Sequence, residues 1–209
     1  MEIIEFFKEF LLHTKPTLER LIAQYDTYIY IILFLVVFAE TGLVIMPFLP
    51  GDSMLFTIGF IAHTTGSLDI SILIPLLILA ALLGDNLNYY IGHKFGDYVQ
   101  SKERILFLKR EHIDRTEKYF EKNGGFTIII ARFIPIVRTV APFVAGAGEM
   151  KYKTYISYCI LGAIFWVAGI ILLGYFLGKI PWVEANFEKV ILTIIVISLL
   201  PIVTKLFKK

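Results

Sequence analysis

Residues 126–148 read FTIIIARFIPIVRTVAPFVAGAG, and this stretch constrains the fold more than any other. It is apolar enough for a bilayer, yet it contains Arg132, Pro135, Arg138 and Pro142. A simple membrane-spanning helix tolerates this combination poorly, because an ionisable group at the helix centre costs about 2.5–3.5 kcal/mol and proline removes a helix hydrogen bond. The stretch is typical of a re-entrant segment, whose broken backbone is packed in protein or faces a watery cavity.

The composition of the whole chain indicates a membrane protein. Hydrophobic residues make up 57% of the 209 positions and aromatic residues 15%. A soluble domain of this size would expose large apolar patches, whereas a bilayer covers them. The net charge of +2 is too small to favour nucleic acid as a partner. The single cysteine, Cys159, excludes an internal disulfide framework and a cysteine cluster for metal.

Apolar runs divide the chain into segments that can be compared with the thickness of a bilayer. A full helical span needs about 20 residues. Four runs approach that length and are predicted spans: 28–47, 68–92, 154–178 and 187–204. Two further segments, 50–65 and 126–148, are too short or too broken and are predicted re-entrant helical hairpins. The expected fold is therefore an all-α polytopic membrane protein.

Proline and glycine recur along the chain at nearly constant separation. The intervals are 85, 87 and 82 residues for the pairs Pro50/Pro135, Gly59/Gly146 and Gly92/Gly174. This pattern predicts an internal repeat with halves at 28–92 and 103–180, in opposite orientation, each with one re-entrant hairpin. Inverted repeats with interrupted helices are the usual build of secondary transporters, whose site lies where the repeats meet. Chance recurrence, or plain helix packing at the glycines, is the alternative.

Lysine and arginine predict the orientation. They concentrate in the basic segment 93–123, which is expected on the cytoplasmic side and whose residues 103–123 are amphipathic enough to lie on the membrane surface. The segment 187–209, a last span with a basic tail, returns to the same side. Residues 1–27 carry scattered charges and are predicted to form an interfacial amphipathic helix and not a cleavable signal. Both termini are then cytoplasmic.

The charged residues inside the apolar segments are the candidate site. Glu40 and Asp52 lie in the first half, and Arg132 and Arg138 in the second. Unpaired, they would not be tolerated, so the acids are expected to face the arginines across the repeat interface. A purely structural salt-bridge cluster is one interpretation, although buried ion pairs stabilise poorly compared with apolar packing. As a site, the arginines suit phosphate oxygens and the poorly solvated acids suit proton exchange.

Further polar residues have less specific patterns. Asp52 follows Pro50 and Gly51 and also resembles a helix cap. A polar band late in the third apolar run supplies candidate cavity-lining residues, with interfacial anchoring of the tyrosine as the alternative: Asp85, Asn88 and Tyr89. No phosphate-loop, dinucleotide or nucleophile-elbow pattern is present. The sequence therefore favours a transporter over an enzyme, with no catalytic residue, metal or cofactor.

The motifs, taken in order, resemble those of the DedA family, whose membrane domain is also called VTT. They are ETG at 40–42, PFLPGD at 47–52, GDN at 84–86, RFIPIVR at 132–138 and AG at 145–146. The resemblance covers about residues 28–180. It implies two opposed re-entrant hairpins in a bacterial cytoplasmic membrane protein that translocates lipid. It also implies undecaprenyl phosphate as the leading substrate, phosphatidylethanolamine as another, and dependence on the proton-motive force.

The resemblance also assigns roles to residues. It puts the essential acids, which couple transport to protons, at Glu40 and Asp52, and the essential phosphate-binding arginines at Arg132 and Arg138. The residues that shape the hairpins are Pro50, Gly51, Pro135, Pro142 and Gly146. The chain departs from the family at Ile136, where many members have glycine.

Four functions are alternatives to a flippase that carries a polyprenyl phosphate, and the weakest is a membrane-bound lipid phosphatase, because no nucleophile or metal constellation is visible. The other three are as follows. The first is a proton-coupled antiporter of small cations or drugs, in which the acids are the site. The second is a phosphatidylethanolamine flippase or scramblase. The third is an assembly factor without transport. The expected partners are the lipid substrate, protons, the membrane and a second copy of the chain.

Overall fold

The protein is described by a computed structural model, which covers residues 14–43, 51–94, 104–105, 108–109, 120, 123–148 and 150–194. The elements, in chain order, are α1 (Thr14–Tyr25), a 3₁₀ turn (Asp26–Tyr28), α2 (Ile29–Gly42), α3 (Gly51–Thr64), α4 (Ile70–Lys94), β1 (Arg104–Ile105), β2 (Leu108–Lys109), α5 (Phe126–Ala131), α6 (Pro135–Ala147), α7 (Tyr152–Ala163), a π turn (Ile164–Ala168), α8 (Gly169–Leu177) and α9 (Pro181–Ala185). Residues 187–194 are helical as well.

The described part of the chain is helical except for one short ladder. β1 and β2 pair antiparallel over two residues each, with Arg104 opposite Lys109. This pairing falls in the basic segment 93–123, which the sequence predicted to be amphipathic and to lie on the cytoplasmic surface of the membrane. The prediction of an all-α membrane fold is otherwise confirmed for the described residues.

Three helical stretches are long and apolar enough to cross a membrane: Thr14–Gly42, Ile70–Lys94 and Tyr152–Leu177. They overlap three of the four predicted spans, 28–47, 68–92 and 154–178. The fourth, 187–204, begins in the helical residues 187–194 and continues outside the described residues. Many large apolar side chains on these helices are exposed, among them Ile31, Leu79 and Phe165, as expected for surfaces that face lipid.

The first of these stretches begins earlier than the sequence predicted. α1, the 3₁₀ turn and α2 follow one another without a gap, whereas the prediction separated an interfacial helix at 1–27 from a span at 28–47. The junction is Asp26, whose φ of +44° lies in the left-handed region, which aspartate tolerates better than most residues. Residues 1–13 lie outside the described residues, so the interfacial helix stays a prediction for them.

The helices of the two predicted hairpin segments are short. α3 has 14 residues, α5 has 6 and α6 has 13, so even α3 is only about 21 Å long, against about 30 Å of hydrocarbon core. Between α5 and α6 the N–H groups of residues 132–134 bond three residues back, and Ile134 is extended. Pro135 then starts the new helix, where the missing N–H of proline costs nothing. The predicted interruption between Arg132 and Arg138 is therefore present.

The described residues belong to two compact units. Of these residues, the first unit contains 14–34, 51–77 and 167–194, and the second contains 35–43 and the described residues between 78 and 166. In the first unit, α1 and α8 pack on α3, and an apolar cluster forms from Phe56, Phe60, Val183, Phe187 and Ile191. In the second unit, α5 packs on α6 and α7, around a cluster that includes Ala131, Ala145 and Tyr155.

Within each unit, two helices touch backbone to backbone at a pair of glycines. In the first unit, a Cβ atom at Gly59 would lie 2.1 Å from the carbonyl oxygen of Ile171, and a Cβ atom at Gly174 would lie 2.1 Å from that of Phe56. Gly59 and Gly174 are thus paired, because each contacts the residue that lies three positions before the other glycine. Only glycine leaves room for this approach between α3 and α8.

The second unit contains the same reciprocal contact between α4 and α6. A Cβ atom at Gly92 would lie 2.0 Å from the carbonyl oxygen of Phe143, and a Cβ atom at Gly146 would lie 2.1 Å from that of Tyr89. The offset is again three residues on both sides. The four glycines that the sequence singled out by spacing therefore occupy equivalent packing positions in two separate helix pairs.

Candidate functional site

Four ionisable side chains of the second unit are almost completely buried. Glu40, Asp85, Arg132 and Arg138 each expose 4% or less of their surface. They come from different segments: Glu40 from the end of α2, Asp85 from the second half of α4, Arg132 from the break after α5, and Arg138 from the first turn of α6. Burial of a charge is costly unless an opposite charge and hydrogen bonds compensate it.

Glu40 and Arg138 form the first buried ion pair. The Nη2 group of Arg138 donates a hydrogen bond to Oε1 of Glu40. The Arg138 guanidinium also lies over the ring of Trp166, with 4.5 Å from Cζ to the ring centroid. Helix α6 begins at Pro135, which places Arg138 one turn into the new helix. The sequence prediction that an acid of the first half meets an arginine of the second is realised in this pair.

Arg132 and Asp85 form the second buried ion pair. The Nη2 group of Arg132 donates to Oδ2 of Asp85, and it also lies 3.2 Å from both the carbonyl oxygen and the Sγ atom of Cys159. The hydroxyl of Tyr155 donates to the backbone oxygen of Asp85 at 2.9 Å. The acid beside Arg132 is thus Asp85, which the sequence suggested only as a cavity-lining residue.

The rest of the predicted polar band joins helices of the same unit. The side-chain amide of Asn88 donates to the carbonyl oxygens of Thr139 at 2.8 Å and Thr41 at 3.4 Å, and the hydroxyl of Tyr89 donates to Met150 at 2.6 Å. Asp85, Asn88 and Tyr89 are spaced i, i+3, i+4, which places them on one face of α4. That face of α4 therefore contacts Arg132, Thr139 and Met150.

Asp52 lies apart from this set in the chain. It is half-buried in the first turn of α3 and belongs to the first unit. A carboxylate is favourable at the N-terminal end of a helix, because the free N–H groups there carry partial positive charge. Asp52 is thus the second residue of α3 and not its N-cap, so its charge favours the helix start without the capping role that the sequence suggested. A transport role for Asp52 stays a prediction.

The residues predicted to shape the hairpins are found at helix starts and contacts. Gly51 is the first residue of α3 and Pro135 the first of α6, whereas Pro142 lies inside α6. Gly146 makes the close approach to α4 described above. Pro50 lies outside the described residues.

Three contacts of the arginines were missed by the sequence reasoning. Asp85 as an ion-pair partner was readable, because an acid in the middle of an apolar run needs a buried cation. The i, i+4 spacing of Tyr155 and Cys159 indicates a shared helix face but not what it faces. Nothing in the sequence indicated Trp166, because its position depends on the π turn Ile164–Ala168.

The cluster contains two guanidinium groups and two carboxylates, and each guanidinium is paired with one carboxylate. Among the described residues, no three histidine, cysteine or carboxylate side chains come together in a way that could hold a metal ion. Guanidinium groups offer planar arrays of N–H donors that match phosphate or carboxylate oxygens. The arrangement can therefore bind an anionic oxygen or exchange a proton at a carboxylate.

Comparison with known proteins identifies similar chains. Residues 49–176 match the model of the VTT domain. The chain is 45% identical to Protein DedA of Escherichia coli (strain K12) over 209 residues, which are 100% of this chain and 95% of that protein. It is 44% identical over 168 residues to a membrane protein of Mycobacterium tuberculosis (strain ATCC 25618 / H37Rv), covering 80% of this chain and 74% of the relative.

A more distant relative is the inner membrane protein YqjA of Escherichia coli (strain K12). It is 32% identical over 179 residues, which are 86% of this chain and 80% of the relative. No solved structure matches the chain significantly.

Proposed function

The chain belongs to the DedA family of membrane proteins, which contain the VTT domain, and from that premise we propose that it moves a phosphate-bearing lipid between the leaflets of a bacterial cytoplasmic membrane. The observation that carries the proposal is the buried ion pair of Glu40 and Arg138. Apolar residues would stabilise this position as well or better. An ion pair retained at such a cost, in a chain built for a bilayer, is best explained by a charged cargo.

The arginines are the proposed phosphate-binding groups. A guanidinium stays charged at all physiological pH values and binds phosphate through several N–H donors at once. Arg132 and Arg138 lie on either side of the break at Pro135, in the same unit. In the proposed mechanism they bind the headgroup while the lipid tails stay in the bilayer.

The acids are the proposed coupling groups. Glu40 is fully buried against Arg138, so protonation of Glu40 would release the guanidinium for the headgroup. Asp52, half-buried at the start of α3, is the second proposed proton site. Proton binding at these acids would link lipid reorientation to the proton-motive force.

The inverted repeat with two opposed re-entrant hairpins is the proposed architecture. The short helices α3, α5 and α6 support it, because none is long enough to cross a hydrocarbon core of about 30 Å. The reciprocal glycine contacts support it too. The pair Gly59/Gly174 and the pair Gly146/Gly92 share one geometry, as two copies of a repeated helix pair would.

The proposed location is the bacterial inner membrane with both termini in the cytoplasm. The basic segment 93–123 supports this orientation through the positive-inside rule. One relative is an inner membrane protein by name.

Undecaprenyl phosphate is the proposed lipid, with phosphatidylethanolamine as the alternative. A terminal phosphate monoester carries up to two negative charges and matches two arginines. Phosphatidylethanolamine carries an amine beside its phosphate diester, and the carboxylates of Glu40 and Asp85 beside the arginines keep it as the alternative.

A proton-coupled antiporter of small cations or drugs is the second candidate function. The observation that favours it is the pair of buried carboxylates, Glu40 and Asp85, with the arginines acting only as counter-charges. The two functions differ in the charge of the cargo, so competition by a cation would support the antiporter and competition by a polyprenyl phosphate the flippase.

A vesicle assay tests the proposed function. Purified protein is reconstituted in phosphatidylcholine vesicles that contain a fluorescent polyprenyl phosphate, and movement of the probe between leaflets is followed in the presence and absence of a pH gradient. The wild type is expected to move the probe much faster than protein-free vesicles do. Equal rates would refute the proposal.

Three variants separate transport from folding. Arg138→Ala is expected to abolish movement of the probe, whereas Arg20→Ala, at an exposed arginine of α1, is expected to keep it. The double variant Glu40→Gln with Arg138→Gln removes both charges of the pair together, so it is expected to insert and fold but not to transport. Wild-type transport by the double variant would reduce the pair to a structural role.

A further inference from the structure

The contact between Arg132 and Asp85 has a property that a purely structural ion pair does not need. Only one of the three guanidinium nitrogens of Arg132, Nη2, contacts the carboxylate. The Nε and Nη1 groups are buried and make no hydrogen bond to the described residues. Buried donors without acceptors are expensive, so Asp85 satisfies the charge of Arg132 but not its hydrogen-bonding capacity.

A phosphate group would satisfy both. It offers several anionic oxygens, so it can accept hydrogen bonds from more than one guanidinium nitrogen, which adds both energy and geometric specificity. A single-nitrogen contact with a carboxylate is the weaker arrangement. Arg132 therefore has a reason to exchange Asp85 for phosphate when phosphate is available.

The surroundings of Arg132 hold its side chain independently of Asp85. A Cβ atom at Gly162 would lie 2.8 Å from Nε and 2.9 Å from Cδ of Arg132, so the side chain rests directly on the backbone of α7. The carbonyl oxygen of Cys159, one turn earlier on α7, accepts a hydrogen bond from Nη2 at 3.2 Å. Loss of the Asp85 contact would leave these two contacts in place.

A carrier that returns without cargo needs a replacement for the charge of that cargo. A guanidinium left unpaired in a buried site costs several kcal/mol. We propose that Asp85 is the internal counter-ion of Arg132, which pairs with the guanidinium when no lipid phosphate is bound and is displaced by the phosphate when one enters. The inference rests on the proposed function and adds to it a residue that sets affinity and release.

Competition by Asp85 has a distinctive consequence for affinity. If the pair with Asp85 must open before phosphate binds, the apparent dissociation constant is raised by the reciprocal of the open fraction. Removal of the carboxylate charge should therefore tighten phosphate binding and slow release. A positioning role for Asp85, or a purely structural one, predicts weaker or unchanged binding.

The test compares Asp85→Asn with Asp69→Asn, the same substitution at an exposed acid just before α4. A polyprenyl monophosphate is titrated into the purified proteins in detergent, and transport of the fluorescent probe is measured in phosphatidylcholine vesicles. Asp85→Asn is expected to bind about tenfold more tightly than the wild type and to transport more slowly. Asp69→Asn is expected to match the wild type in both. Weaker or unchanged binding by folded Asp85→Asn overturns the inference.

A second measurement uses the wild-type chain and does not depend on the folding of any variant. Solid-state NMR of protein in phosphatidylcholine bilayers reports the distance between Cγ of Asp85 and Cζ of Arg132. This distance is expected to lengthen when the polyprenyl monophosphate is added. An unchanged distance at saturating lipid overturns the counter-ion role.

The two proposals fail in different ways. Tighter binding by Asp85→Asn without any transport by the wild type would support the counter-ion role and refute the flippase. Transport by the wild type, with an Asp85–Arg132 distance that does not respond to lipid, would refute the counter-ion role alone. Absence of phosphate-lipid binding by every chain refutes both.

Discussion

Arg138 stacks on Trp166 inside the second unit, with 4.5 Å between the guanidinium carbon and the ring centroid. Trp166 is completely buried and lies in a π turn. Such turns are rare in proteins as a whole, but those that occur are often found at functional sites. Since Arg138 also pairs with Glu40, two groups of different chemistry position the same guanidinium. The aromatic face attracts the cation without neutralising it.

The stacking of Arg138 on Trp166 predicts how substitutions of Trp166 affect lipid transport. Trp166→Leu removes the ring, and a desolvated cation–π contact is worth roughly 2 kcal/mol, so lipid transport should fall by about tenfold or more. Trp166→Phe keeps an aromatic face and should lose less. Transport of the fluorescent polyprenyl phosphate in vesicles measures both.

Trp182 is the matched control, because it is the only other tryptophan and is 65% exposed. Trp182→Leu should leave transport unchanged, and the Trp182→Phe protein reports the fluorescence of Trp166 alone. That fluorescence should change when the lipid binds. Full activity of Trp166→Leu would contradict a positioning role for the ring.

The ion pair of Glu40 and Arg138 predicts strong coupling between the two charges. Removal of one partner leaves a buried charge unpaired, so Glu40→Gln and Arg138→Gln should each destabilise the protein by about 3–5 kcal/mol. The double variant should lose much less than the sum of the two. Unfolding in detergent, followed by circular dichroism, gives the coupling energy of the double-mutant cycle.

An exposed pair supplies the reference for this cycle. On α1, Nζ of Lys15 lies 3.8 Å from Oε1 of Glu19, and both side chains are partly exposed. Glu19→Gln should change the free energy of unfolding by less than about 1 kcal/mol. Additive effects at Glu40 and Arg138 would mean that the two side chains are not paired in the folded protein.

The glycine contacts predict a steric effect that depends on position. Gly59→Ala and Gly146→Ala place a methyl group against a backbone oxygen of another helix, so each should cost about 1–3 kcal/mol. Gly169→Ala meets no atom within 4 Å and should be neutral or stabilise the helix by about 0.5–1 kcal/mol. Melting temperatures in detergent distinguish the three, and equal melting temperatures would rule out the close helix packing.

Asp69 predicts a local effect of pH at the start of α4, outside the membrane-spanning segment. The hydroxyl of Ser71 donates to the carboxylate of Asp69, and so does its backbone N–H at 2.8 Å. These two bonds lower the pKa of Asp69 below its ordinary value. Because the pKa is lower in the folded protein, the contribution of Asp69 to stability is complete above the unfolded pKa of about 3.9. It disappears as the pH falls through the folded pKa.

Ser71→Ala removes the hydroxyl and is expected to raise the pKa of Asp69 toward its ordinary value. Carbon-13 NMR of the Asp69 carboxyl group across an acid titration measures the shift. Ser157→Ala, which removes a hydroxyl that donates to the carbonyl oxygen of Lys153, should leave that pKa unchanged. An unaltered pKa in Ser71→Ala would mean that the hydroxyl does not stabilise the carboxylate.

The membrane character, three of the spans and the break before Pro135 could all be predicted from the sequence. These features depend on composition over about 20 residues and on the local backbone chemistry of proline, which neighbouring residues hardly alter. The sequence also singled out the right glycines and identified Arg132, Arg138 and Glu40 as charges that must find partners. It could do so because the cost of a buried charge is the same whichever partner compensates it.

The partner of each buried charge could not be predicted from the sequence and became visible in the folded chain. Glu40 meets Arg138 across 98 positions of chain and Asp85 meets Arg132 across 47, so both pairs depend on how distant helices pack. Local patterns place a residue on a face of a helix but do not say which helix that face contacts. Asp85, which the sequence suggested only as a cavity-lining residue, consequently lies beside Arg132.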